Sequence, residues 1–117
     1  IDGDKIAQMS ADHSLVAEMV RSGRLTKAEA KTYPGRNLIT RAVGVDSSVE
    51  ADVYEIKMHE GQTLLLCSDG LSGPVTDAEI AAAVSQAPTM EQACTQLIEL
   101  ACKAGGNDNI TVVLYTK

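Results

Sequence analysis

The chain has 117 residues, the size of one small domain, with 16 acidic against 10 basic residues and a formal net charge of −6. That sign argues against nucleic acid or an anionic membrane surface as the main partner, because both need a positive field. Hydrophobic residues make up 44% of the chain, too many for a disordered segment, and no apolar run, Leu64–Cys67 included, is long enough to span a membrane.

Asp2-Gly3 predicts a tight type I′ hairpin turn, which needs positive φ at both central positions. After it, Lys5–Met9 alternates apolar and polar residues as a half-buried strand does. Only Ile1 stands before the turn and the chain does not start with Met, so the partner strand is expected upstream of residue 1. Ser10 and Asp12 are candidate caps for a helix whose Leu15, Val16, Met19 and Val20 form one apolar stripe ending at Gly23. Thr26 and Glu29 make a capping box for a short helix that stops before Pro34. Ile39–Val45 reads as a strand, and so does Ala51–Met58, with Tyr54, Ile56 and Met58 on one face. Glu60-Gly61 turns the chain into Gln62–Ser68, whose Leu64-Leu65-Leu66-Cys67 centre suggests a strand buried on both faces. Two helices follow, each with a capping pair, Thr76/Glu79 and Thr89/Gln92. Ala93, Leu97, Ile98 and Ala101 mark the apolar side of the second, and Gly105-Gly106 closes it. Ile110–Thr116, apolar and β-branched, is the last strand.

Strand runs followed by helix runs favour an α+β fold with an antiparallel sheet and helices packed on it. With three Tyr, no Phe and no Trp, there is no platform for stacking bases, and the core has to come from Leu, Ile, Val, Ala and Met. Cys67, Cys94 and Cys102 are an odd set without a CxxC. Cys94 and Cys102 fall on one helix about 12 Å apart, beyond the roughly 7 Å a disulfide tolerates. Only His13 and His59 are available to join them, which argues against a zinc cluster. Buried structural thiols, a reducing compartment and, with no signal peptide visible, a cytoplasmic protein are the expectations.

Two carboxylates stand out by placement. Asp69 ends the apolar strand in Leu66-Cys67-Ser68-Asp69-Gly70-Leu71, and Asp108 lies in Gly105-Gly106-Asn107-Asp108-Asn109 just before the last strand. If those two strands pair antiparallel, the end of one lies beside the start of the other, and both aspartates reach one edge of the sheet. Hard oxygen ligands so placed suit Mg²⁺ or Mn²⁺, with Gly70 and Gly106 letting backbone pass close by. The same residues also serve as ordinary turn chemistry, since Asp-Gly and Asn-Asp-Asn are what a strand end and a helix C-cap use. Asp2 and Asp4 lack the spacing of an EF-hand and read as turn residues.

Four stretches carry a family resemblance. Asp12-His13-Ser14-Leu15-Val16, Arg36-Asn37-Leu38-Ile39-Thr40-Arg41-Ala42-Val43-Gly44, Leu65-Leu66-Cys67-Ser68-Asp69-Gly70-Leu71 and Gly106-Asn107-Asp108-Asn109-Ile110-Thr111-Val112-Val113 occur in this order. Together they resemble the bacterial PP2C-type (PPM) protein serine/threonine phosphatases. The resemblance implies the C-terminal part of a PP2C-like α-β-β-α sandwich over residues 1–117, with His13–Thr40 as the family's helical flap. It implies Asp69 and Asp108 as metal ligands, Asp69 shared with a third metal, and Gly70 and Asn109 as supports of the ligand loops.

The family reaction implied is hydrolysis of phosphoserine and phosphothreonine in proteins, by a water or hydroxide bridging two Mg²⁺ or Mn²⁺ ions, with no phosphoenzyme. The family's Asp-Gly-x-Gly-Gly-His segment, upstream acidic ligand and phosphate-binding arginine have no counterpart here. The chain alone is therefore expected to be inactive, and its partners to be phosphoprotein substrates, the missing N-terminal half or, in isolation, a second copy by dimerisation or strand exchange. Arg36 and Arg41 read as structural, and His13 as a capping or packing residue. Ser72-Gly73-Pro74 departs from the polar or acidic pair usual after Ser-Asp-Gly, which changes the loop leading to Thr76. A non-catalytic, partner-binding module of pseudophosphatase type is the alternative reading.

Overall fold

In chain order, the computed structural model, which describes residues 1–117, has helices α1 (Leu15–Arg21) and α2 (Lys27–Ala30), strand β1 (Thr63–Cys67), helices α3 (Asp69–Ser72), α4 (Asp77–Gln86) and α5 (Met90–Lys103), and strand β2 (Val112–Thr116). The chain divides into two units, one of Ile1–Ala7 with Ile56–Lys117 and the other of Gln8–Glu55.

In the first unit β1 and β2 pair antiparallel, with Thr63 opposite Thr116, Leu65 opposite Leu114 and Cys67 opposite Val112. Helices cover one face only. Thr63 is buried, and Leu65, Val112 and Leu114 pack against the core, whereas Leu66, Val113 and Tyr115 stand more than half exposed on the other face. The strand expected to be buried on both sides is therefore buried on one, because only one face meets helices. On β1's opposite edge, Ile1 and Thr63 exchange backbone hydrogen bonds of 2.8 and 2.9 Å.

The core is built by Leu71, Val75, Ile80, Ala81, Val84, Ala93, Leu97 and Ala101. Burying a side chain such as Leu71, Ile80 or Leu97 contributes about 1.5–3 kcal/mol each. No methionine joins this set. On α5 the inward stripe runs Ala93, Leu97, Ala101 at four-residue steps; Ile98, off that stripe, is 40% exposed. The Thr76 box at α4 is complete, with the Thr76 hydroxyl accepting from the Glu79 N–H and the Glu79 carboxylate accepting from the Thr76 N–H. At α5 only half of the pair forms, Thr89 accepting from the Gln92 N–H.

Several expected elements do not form, each for want of a partner. Lys5–Met9 makes no strand; Asp2 and Lys5 close a turn whose central residues are Gly3 and Asp4, not Asp2 and Gly3. Positive φ occurs there only at Gly3, the pattern of a type II′ turn. Ile39–Val45 contributes a single bridge, Ser14 to Ile39, before turning at Gly44, and Ala51–Met58 has no ladder beside it. In the Gln8–Glu55 unit, α1 is capped by Ser14, whose hydroxyl accepts from the Ala17 N–H, rather than by Ser10 or Asp12. Asp12 instead accepts from the Gln8 side chain at 2.9 Å. The Thr26/Glu29 box of α2 forms as expected. The short α3 was not expected at all.

Candidate functional site

The pairing of β1 with β2 delivers the two aspartates. Asp69 is the first residue of α3, immediately past the end of β1, and Asp108 lies in the loop between α5 and β2. That loop is set up by Gly105 and Gly106, both at positive φ, which the close of α5 requires and which an L side chain resists. The two stretches then meet at Gly70. A Cβ there would stand 2.3 Å from the Asn109 carbonyl oxygen and 3.4 Å from the Asp108 carbonyl carbon, so the Asn109 carbonyl and the backbone leading to it rest on a residue without a side chain. Gly70 is buried, while Asp69, Asp108 and Asn109 are exposed.

Neither carboxylate is neutralised within the chain. The ion pairs are His13–Asp52, Arg41–Asp52 and Lys103–Glu99, and none involves Asp69 or Asp108. One Asp108 oxygen accepts from the Asn109 N–H at 2.7 Å, leaving the other free. Exposed, unpaired oxygen donors on adjoining loops, with backbone brought close at a glycine, fit a hard divalent cation. They make only part of a ligand set, since no group of three His, Cys, Asp or Glu residues gathers anywhere in the chain.

Ser68 is the residue that sequence reasoning passed over. Its hydroxyl donates to the Asn109 carbonyl at 2.7 Å and accepts from the Thr111 N–H at 2.9 Å. The preceding Cys67 is exposed, not buried as expected, yet its sulfur is sheltered enough that burial pushes the thiol pKa up, against a Ser72 hydrogen bond that lowers it. Cys102 is also exposed, Cys94 half-buried, and all three are free. The Ser72-Gly73-Pro74 stretch closes α3, with the Gly73 N–H donating to the Asp69 carbonyl at 2.8 Å and Pro74 preventing continuation.

The remaining candidates lie in the Gln8–Glu55 unit. His13 is not the cap of α1, which is Ser14; its Nε2 is 2.6 Å from Asp52 Oδ2. Arg41 donates to the other Asp52 oxygen at 2.8 Å and to the Glu50 carbonyl, and the Tyr54 hydroxyl donates to Asp52 at 3.2 Å. The His13 and then the Arg41 hydrogen bonds hold the Asp52 carboxyl below the usual carboxylate range. Arg36 donates to the Lys31 carbonyl. Asp52 and Tyr54 carried no motif that would have singled them out. Asp2, a turn residue as expected, accepts from the Gln62 side chain.

The chain is similar to known proteins in both sequence and structure. Residues 5–116 match the family model described as Stage II sporulation protein E (SpoIIE). The chain is 39% identical over 117 residues to a Listeria innocua protein named serine/threonine phosphatase stp, covering all of this chain and 46% of that one. The crystal structure of the serine/threonine phosphatase Stp1 from Staphylococcus aureus superposes with a TM-score of 0.95 at 37% identity, over 100% of this chain and 46% of that one. A structure of the catalytic domain of the phosphatase PstP in complex with two manganese ions matches with a TM-score of 0.82 at 39% identity, over 94% of this chain and 44% of that one. The chain thus spans about half the length of the curated relatives it matches, 46% for the Listeria protein, in their C-terminal part. No helix is long and apolar enough to cross a membrane. This chain belongs to the SpoIIE family as that model describes it, and the proteins it is similar to are named serine/threonine phosphatases.

Proposed function

We propose that this chain serves the metal-dependent hydrolysis of phosphoserine and phosphothreonine in proteins, contributing Asp69 and Asp108 as ligands of a Mg²⁺ or Mn²⁺ centre. The observation that carries this reading is the seating of the Asn109 carbonyl on Gly70, next in sequence to Asp69, with both carboxylates free of any cationic partner. Asp69 and Asp108 would hold divalent cations there, which would supply Lewis acidity, lowering the pKa of water and neutralising charge on a phosphoryl group. The chain's own part is to hold two anionic oxygens at one end of a paired sheet. Gly70 admits the second loop, and Asn109 donates its N–H to the Asp108 carboxylate and so orients it. Residues 13–40, within the Gln8–Glu55 unit, are read as the flap. The uncovered face bearing Leu66, Val113 and Tyr115 is read as the surface that meets the segment corresponding to the relatives' unmatched half, or a second copy when the chain is alone. Three free thiols suit a reducing, cytoplasmic setting.

The test joins residues 1–117 to the portion of the Listeria innocua relative that lies outside the match. Mn²⁺-dependent release of phosphate from a phosphothreonine peptide is expected from this chimera and not from residues 1–117 alone. Asp69→Asn and Asp108→Asn are each expected to reduce the rate by at least about 100-fold. A folded chimera whose rate neither substitution lowers would overturn the assignment, as would metal-dependent turnover by the chain alone.

A further inference from the structure

Resting on the reading of Asp69 and Asp108 as metal ligands, we propose that Ser68 is a positioning residue that fixes the Asp108 loop against Asp69. The five helices have hydroxyl residues at their N-caps: Ser14, Thr26, Ser68, Thr76 and Thr89. Four of them accept a hydrogen bond from their own helix, the standard use of a cap. Ser68 does not. Its hydroxyl instead spans 41 residues to the Asn109 carbonyl and 43 residues to the Thr111 N–H.

The backbone gives the reason. The Ser68 N–H still belongs to the ladder, donating to the Thr111 carbonyl at 3.1 Å. Its carbonyl has already turned into α3, where it accepts from the Leu71 N–H at 3.1 Å and the Ser72 N–H at 3.4 Å. In an antiparallel ladder the Thr111 N–H would donate to that carbonyl; the Ser68 hydroxyl takes its place. The chain can thereby enter a helix at Asp69 while Asn109–Thr111 remains tied to the strand end. Gly70 gives the Asn109 carbonyl room, and Ser68 holds it there. Because Asp69 follows Ser68 and Asp108 precedes Asn109, one hydroxyl sets the spacing of both carboxylates before any cation binds. Supports of this kind are worth 10–100-fold in metal affinity.

The test uses the full chain, ¹⁵N-labelled, as wild type and as S68V, S68A and S68T. Valine and threonine have the same shape, and only threonine keeps the hydroxyl. Without metal, exchange of the Thr111 amide is expected to be roughly tenfold faster in S68V and S68A and close to wild type in S68T. With Mn²⁺ added, paramagnetic broadening of the Asp69 and Asp108 amides is expected to need about tenfold more metal in S68V and S68A, and to be restored by S68T. Thr111 exchange and Mn²⁺ midpoints that are unchanged in S68V and S68A would overturn the assignment of Ser68 alone. Broadening that persists in both D69N and D108N would overturn the metal reading, and with it the role given to Ser68.

Discussion

A Cβ at Gly70 would sit 2.3 Å from the Asn109 oxygen and 2.9 Å from its carbonyl carbon. The obstructing atoms are backbone, so no side-chain rotation relieves the overlap. Gly70→Ala is therefore expected to drive the Asn109 carbonyl, and with it the Asp108 loop, away from this segment and to lower stability by about 1–3 kcal/mol, read from the urea midpoint of the chain. A midpoint equal to wild type would mean that the loops do not meet as described. Asp69, Gly70 and Asp108 were legible in the sequence because each sits where an apolar run stops or starts, and strand ends of a paired sheet come together. Ser68 was not legible. A serine before Asp-Gly reads as part of an ordinary turn at a strand end, and nothing local reveals that its hydroxyl bonds residues more than forty positions away. The cysteines failed for a similar reason, since exposure depends on which sheet and helix faces are covered, not on residue type.

Helix starts were the most readable elements. The Thr26/Glu29 and Thr76/Glu79 boxes close within four residues, and the sequence alone contains every atom involved. Strands were harder: β1 and β2 were found, but Lys5–Met9, Ile39–Val45 and Ala51–Met58 have β-like composition without a ladder, and a strand exists only with a neighbour. The Gln8–Glu55 unit is held differently, around one carboxylate. Asp52 gathers His13, Arg41 and Tyr54 from both ends of that unit, while the Ala11 N–H donates to the Tyr54 hydroxyl. Its pKa lies below the ordinary value, so its contribution to stability is present above about pH 4 and is lost as the pH falls through the depressed pKa. Amides of residues 8–55 are accordingly expected to exchange faster, relative to their intrinsic rates, as the solution is acidified below pH 4. Asp52→Asn should give that faster exchange already at neutral pH and flatten its acid dependence. An acid response identical in wild type and Asp52→Asn would remove Asp52 from this role.

For the molecule as a whole, helices cover one sheet face and leave Leu66, Val113 and Tyr115 on the other. A sheet face with three large apolar side chains in the open is one that association normally covers. The chain also spans 46% of its Listeria relative and 46% of the Staphylococcus structure. Its two free aspartates supply only part of a cation's ligand shell, and the Asp-Gly-x-Gly-Gly-His segment of the family is not among its residues. Length and the −6 charge suggested an ordinary small acidic domain; in the proposed reading Asp69 and Asp108 give part of that charge a purpose. The account stands on those two side chains as ligands. Anomalous diffraction at the manganese edge, from crystals of the chimera grown with Mn²⁺, addresses them directly. The account predicts manganese bonded to carboxylate oxygens of both Asp69 and Asp108 at roughly 2.1 Å. Manganese peaks that contact neither aspartate would contradict it.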